Sequence, residues 1–222
     1  MGMVNGIRAL NALTSGTMTG AQLTAYLASG SNLGSFKQLF NLRGQINILA
    51  ESSVAMTAVA ASSVAMTAVA ASSVAMTAVA ASSVAMTAVA ASSVAKMAVF
   101  NNDIALNAIA ASATAMAAMR ASAGYIVTNP ATMNGLAVTL APLNAAGSYI
   151  VLGYSKSVAT TDTISLLSTR RAGSTIATSI GPITNASSTL GADAYMALPV
   201  VAPFTATGNN RIWYFGMLRC DV

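Results

Sequence analysis

Residues 52–61 read Ser52-Ser53-Val54-Ala55-Met56-Thr57-Ala58-Val59-Ala60-Ala61, and the same ten residues return from Ser62, Ser72 and Ser82. Recognisable variants follow: SSVAKMAVFN from Ser92, NDIALNAIAA from Asn102 and SATAMAAMRA from Ser112. Tandem repetition at a fixed short period signals a quasi-one-dimensional architecture in which each unit contacts its neighbours.

Two models fit a ten-residue period. In the favoured one, each decad is a two-turn helix that is capped again at the next unit. No Gly or Pro interrupts residues 45–123, and Ala and Met are strong helix formers. The first position of each unit is Ser52, Ser62, Ser72, Ser82, Ser92, Asn102 and Ser112, residue types whose side-chain oxygen accepts a bond from a free amide in the first turn. Asp103 adds a negative charge where a helix dipole favours one. The alternative is a pentad β-solenoid, with Val54, Val59, Val64 and their successors all pointing inward. Five residues advance a helix by about 500°, so those positions cannot share one helical face. The drift of the mid-unit residue (Thr57, Met97, Asn107, Ala117) beside an unchanging cap favours the helix, as does the depletion of Ala in strands.

Upstream, residues 1–50 read as short helices joined by Gly-rich turns. Thr19-Gly20-Ala21-Gln22 matches a capping box, with Leu23, Tyr26 and Leu27 on one face of the helix that follows. Ser35-Phe36-Lys37-Gln38 repeats the pattern ahead of Leu39 and Phe40, and Gly30-Ser31-Asn32-Leu33-Gly34 between them reads as a turn. Downstream, residues 124–222 regain Gly, Pro, Asn and Thr. Short β-type runs stand at Tyr125–Thr128, Leu136–Leu140, Tyr149–Leu152, Thr163–Leu166, Thr175–Thr178, Tyr195–Leu198 and Arg211–Phe215. Asn129-Pro130, Asn134-Gly135, Gly181-Pro182 and Gly208-Asn209-Asn210 separate them. That spacing predicts an antiparallel β-sandwich or jelly roll. The expected fold class is therefore α+β in three regions: an N-terminal segment over 1–50, a decad-repeat shaft over 51–123 and a C-terminal β knob over 124–222.

Composition narrows the function. Charged residues make up 7% of the 222 and hydrophobic ones 55%, against about 25% charged in an ordinary soluble domain. So apolar a surface calls for burial in an assembly. The net charge is +5, but only Arg170 and Arg171 are adjacent, which is not the clustered footprint of a nucleic-acid binder. The uncharged stretch between Glu51 and Lys96 has the hydropathy of a membrane segment. It lacks Leu, Ile and Phe, and no aromatic belt flanks it, so membrane insertion is not expected. The N-terminus has no signal-peptide pattern, and Gly2 lacks the Ser or Thr that a myristoylation site needs four residues later. The lone Cys220 forms no internal disulfide.

No catalytic residue, cofactor site or metal site is expected. Histidine is absent, which removes the commonest general base and metal ligand. The acids are Glu51, Asp103, Asp162, Asp193 and Asp221. A paired-carboxylate hydrolase would need Asp162 and Asp193 to meet. The candidate contact residues are Arg170 and Arg171 at an expected hairpin tip, and Arg211 with Trp213 and Tyr214, whose aromatic faces beside a guanidinium suit a glycan ring. Alternation along a strand directs at least one of those aromatics to the core instead. The regularly spaced methionines Met56, Met66, Met76 and Met86 read as packing.

The layout of a short helical N-terminus, an Ala/Ser/Met decad of the SSVAMTAVAA type and a C-terminal β region resembles fibre and appendage proteins of tailed bacteriophages. The resemblance implies a homotrimer in the virion, assembled in the host cytoplasm. Residues 1–50 would be bound to other virion proteins, and the knob would contact a host cell-surface glycan. No catalytic or binding residue carries over. A head fibre or capsid-decorating protein without a receptor role fits the size equally, and a bacterial surface adhesin is the further alternative. Three chains wound together would bury the apolar face of the repeat at about 25 cal/mol per Å². The variant residues Lys96, Phe100, Asp103 and Arg120 are expected to fix the register among otherwise interchangeable units.

Overall fold

A computed structural model describes residues 2–128, 138–139, 147–156, 164–171, 174–180, 197–202, 205–208 and 213–222. The fold class is α+β, and the chain forms two compact units, Met1–Ala123 and Gly124–Val222. The first contains α1 (Gly2–Thr14), α2 (Gly20–Leu27), α3 (Gly30–Gln38), a 3-10 turn (Leu39–Asn41) and α4 (Arg43–Glu51). The decads then follow as α5 (Ser53–Ala60), α6 (Ser63–Ala70), α7 (Ser73–Ala81), α8 (Ser83–Ala91), α9 (Ser93–Phe100), α10 (Asp103–Ala110) and α11 (Ala113–Arg120).

Each decad is one helix, and the pentad β-solenoid does not occur. The reason is local. Ser52, Ser62, Ser72, Ser82, Ser92 and Ser112 sit in extended backbone, and each side-chain oxygen accepts from the amide three residues on. Asn102 does the same for Ile104, two residues on. A cap of this kind contributes about 1 kcal/mol. Within each unit the fourth, fifth, eighth and ninth residues lie within an arc of about 140° and form the buried stripe, with the ninth only half-buried at Ala110 and Arg120. Ala55, Met56, Val59 and Ala60 are at most 2% exposed, whereas Val54 is 50% exposed. Thus the two valines of one unit have different fates, as the 500° advance requires.

Successive helices turn sharply, by 102° between α5 and α6 and by 100° between α7 and α8. Each helix therefore lies over the third one before it: α8 on α5, α9 on α6, α10 on α7 and α11 on α8. The winding closes a continuous core of Ala, Met and Val inside a single chain, and burying each Met or Val contributes about 1.5–3 kcal/mol. The three-chain winding invoked to cover this stripe is not required for its burial. The same bends cut the uncharged stretch into short pieces, and among the described residues no single helix is long and apolar enough to cross a membrane.

A ladder of serines fastens corner to corner. Ser82 Oγ donates to the Ala50 carbonyl at 2.7 Å, Ser92 to Ala60 at 2.6 Å and Ser122 to Ala90 at 2.9 Å, and Ser112 donates likewise to Ala80. Every rung spans 32 residues. A hydroxyl is both a donor and an acceptor. One serine can therefore cap the start of its own helix and satisfy a carbonyl orphaned at the end of an earlier helix.

The N-terminal helices pack within the same unit. Thr19 and Gln22 form the expected capping box, and Leu23 and Leu27 are buried. Thr24 donates to the buried Ser62 hydroxyl at 2.8 Å, so α2 engages α5 and α6 where a serine rung would otherwise reach back. Two expectations fail here. Gly30–Gly34 is helical rather than a turn, and Ser35 lies inside α3, whose N-cap is Ser29. Tertiary contact overrides the glycine-rich composition. α1 crosses α3 so closely that a side chain at Gly6 would meet the Ser35 carbonyl, and Ser35 Oγ turns back to the Ser31 carbonyl at 2.8 Å.

The second unit holds β1 (Tyr125–Thr128), β2 (Val138–Thr139), β3 (Gly147–Lys156), β4 (Ile164–Arg171), β5 (Ser174–Ile180), β6 (Leu198–Ala202), β7 (Thr205–Gly208) and β8 (Trp213–Arg219). They pair antiparallel in two sheets ordered β1-β8-β3-β6 and β2-β7-β4-β5. Of the strand expected over Tyr195–Leu198, Tyr195 and Met196 lie outside the described residues, Ala197 is not in a strand, and β6 starts at Leu198. It carries Pro199 on the sheet edge, where a missing amide is tolerated. Thr205–Gly208 is a strand that the turn signals concealed. Asn129-Pro130, Asn134-Gly135 and Gly181-Pro182 lie outside the described residues. Tyr149, Ile150, Val151, Leu152, Met217, Leu218 and Cys220 are buried.

Candidate functional site

The charged groups are few and spread over separate elements. Glu51 ends α4, Asp103 begins α10 and Asp221 follows β8. Asp162 and Asp193, the two carboxylates that a paired-acid site would need to bring together, lie outside the described residues. Among the described residues no three His, Cys, Asp or Glu side chains gather as a metal site would require.

The candidate contact residues all belong to the second unit. Arg170 and Arg171 are the last two residues of β4, and Arg171 pairs in register with Ser174 at the start of β5. The register shifts between Thr169 and Arg171, so the ladder is irregular at Arg170, a feature common where strands end. Trp213 and Tyr214 open β8, opposite Lys156 and Ser155 of β3. Arg211 lies outside the described residues.

Sequence reading missed a clasp at the end of β8. Arg219 Nε donates to Asp221 Oδ1 at 2.9 Å, Nη2 reaches Oδ2 at 3.5 Å, and the guanidinium stands 6.0 Å from the centre of the Tyr149 ring. The hydrogen bond from Arg219 holds the Asp221 carboxyl below its ordinary range, against a smaller upward push from desolvation. The carboxylate in turn raises the arginine. A side chain at Gly147 would meet Asp221 Oδ2 at 3.1 Å, so the bare glycine leaves the carboxylate its place. The one available signal was the Arg-x-Asp spacing of residues 219–221.

The helical unit presents open grooves on its flanks. One, between α3 and α6, is lined by Leu33, Lys37, Val64 and Thr67. A second, between α4 and α7, is lined by Ile46, Asn47, Val74 and Thr77. A third continues toward α8 beside Glu51 and Val84. All three are lined mainly by hydroxyls and methyls; Lys37 borders the first and Glu51 the third. No protein-family model matches the chain, and no curated protein matches it significantly.

Proposed function

We propose that this chain is a structural, non-enzymatic subunit of a bacteriophage virion appendage. Residues 1–50 engage other virion proteins, the decads form a stiff spacer, and residues 124–222 form an outward β-sandwich knob that contacts a host cell-surface glycan through Arg170, Arg171, Arg211, Trp213 and Tyr214. The observation that carries this reading is the serine-capped, self-closing stack of decads. It is an element whose length is set by repeat number and whose surface bears almost no reactive group, as a spacer requires and an enzyme does not.

Self-association as a homotrimer belongs to the same reading and rests on the resemblance to phage fibres. The Met and Val stripe is covered within one chain, so a trimer on this fold is built from folded chains side by side. Antibodies raised separately against residues 1–50 and 124–222 test the proposal on purified particles in electron micrographs. Labelling of projections by the second antibody, with the first blocked until particles are disrupted, is the expected result. Absence of the chain from particles that contain all other structural proteins would overturn it.

A further inference from the structure

The third residue of each decad is aliphatic in six of the seven units and lies outside the fully buried stripe, with Val64 half-buried. Val54, Val74, Val84, Val94 and Ile104 are between 37% and 50% exposed, while the second and sixth positions beside them are mostly Ser and Thr. The core is already filled by the fourth, fifth, eighth and ninth residues. A surface under no other demand would carry hydroxyls at the third position too, as Thr114 does in the last unit. The winding distributes these side chains over every flank of the stack.

The grooves beside these side chains differ in sign. Lys37 borders the one that contains Val64, and Glu51 borders the one that contains Val84. Both charged side chains are exposed, and residues 52–95 bring no other charge to the surface. We infer that folded copies of this chain pack side by side through flanks that carry these Val and Ile side chains, the Lys37-bordered groove of one copy against the Glu51-bordered groove of the next. Charge selects a second copy as the occupant. The rims are of opposite sign on different flanks of one molecule, which suits a head-to-tail contact between unlike faces. This deepens the self-association part of the function proposed above, and rests on it.

Sedimentation velocity of the full chain over a concentration series tests the inference, with far-UV circular dichroism confirming the fold of each variant. The variant Val64→Thr, Val74→Thr, Val84→Thr removes apolar contact and leaves the fully buried stripe intact, and should weaken association by more than about tenfold. Lys37→Glu and Glu51→Lys should each weaken it about two- to fivefold at low salt, the range of an exposed ion pair. The double reversal should recover the wild-type value. A chain that stays monomeric throughout overturns the inference, as does undiminished association of the triple threonine variant or a double reversal no better than its parents. None of these results bears on whether the chain is present on virions, so this inference and the virion reading fail separately.

Discussion

The four identical decads α5–α8 and the three divergent ones α9–α11 form the same helix, and comparing them separates what the winding needs from what it tolerates. The bulky core positions vary. Met56, Met66, Met76 and Met86 give way to Lys96, Leu106 and Met116, and Val59 has the counterparts Val99, Ile109 and Met119. All of these remain buried, including Lys96 at 4% exposure. The ninth also varies, from Ala60 to Phe100 and Arg120, whereas two small positions do not. The fourth residue is Ala in all seven units (Ala55 to Ala115) and is 0% exposed in each. The seventh is likewise always Ala (Ala58 to Ala118). Volume can be redistributed among flexible side chains, but the distance between packed helices depends on a methyl group that cannot grow. Identical sequence is also not identical structure. α5 and α6 end at Ala60 and Ala70, while α7 and α8 run one residue further, and Ser62 alone of the cap serines is fully buried.

The comparison can be broken most decisively inside one helix. Met86→Ala should cost about 2–5 kcal/mol, whereas Val84→Ala, two residues away and exposed, should change stability by less than about 0.5 kcal/mol. Urea unfolding followed at 222 nm reads both, and equal losses would contradict the assignment of the buried stripe. Next in size is the serine ladder. Ser92→Ala removes a cap and strands the Ala60 carbonyl, for a loss of about 2 kcal/mol in the same assay. Asn102 caps its helix without a described rung. Asn102→Ser should add that rung and gain about 0.5–1 kcal/mol, and a loss there would mean that the asparagine has a role of its own.

The smallest effect concerns pH. Residues 52–95 contain no titratable side chain, so acid has nothing to protonate there. The Arg219–Asp221 clasp differs. A carboxyl held below its ordinary range contributes stability that is fully present above that range and is lost as pH falls through the lowered value. Trp213, the single tryptophan, reports on the β unit. Its fluorescence should show an acid-side loss of thermal stability that Asp221→Asn flattens, and an unchanged profile in that variant would assign the acid response to another group.

How much of this was legible depends on how far apart the partners stand in the chain. The capping serines were readable because the bond that the Ala55 amide donates to Ser52 Oγ closes within four residues. The capping box at Thr19 was readable for the same reason. The turn read at Gly30–Gly34 failed because the cause of the helix, the crossing at Gly6, lies elsewhere in the chain. The Ser92–Ala60 rung was invisible until the winding was known, and so was its consequence that one chain covers its own apolar face. In the β unit, β1 pairs with β8, placing Tyr125 opposite Leu218, a partnership that no local pattern announces. Strand existence was mostly readable there and pairing was not. Of the candidate contact residues, composition could pick out arginines and aromatics but could not show which share a surface. The Arg219–Asp221 clasp escaped because two charges at a chain end look like ordinary solvated residues.

The ladder step of 32 residues makes the decad stack behave as a screw thread. Inserting or deleting one decad would advance the thread and turn every later helix by about a third of a revolution, because each helix lies over the third before it. Three decads would restore the original bearing one full turn further along. Four identical units in tandem are also the kind of gene segment in which copies are gained or lost by misaligned recombination. Length and azimuth could thus change in discrete clicks, each preserving the core, and a lineage carrying this fold could alter reach and facing without inventing a new contact.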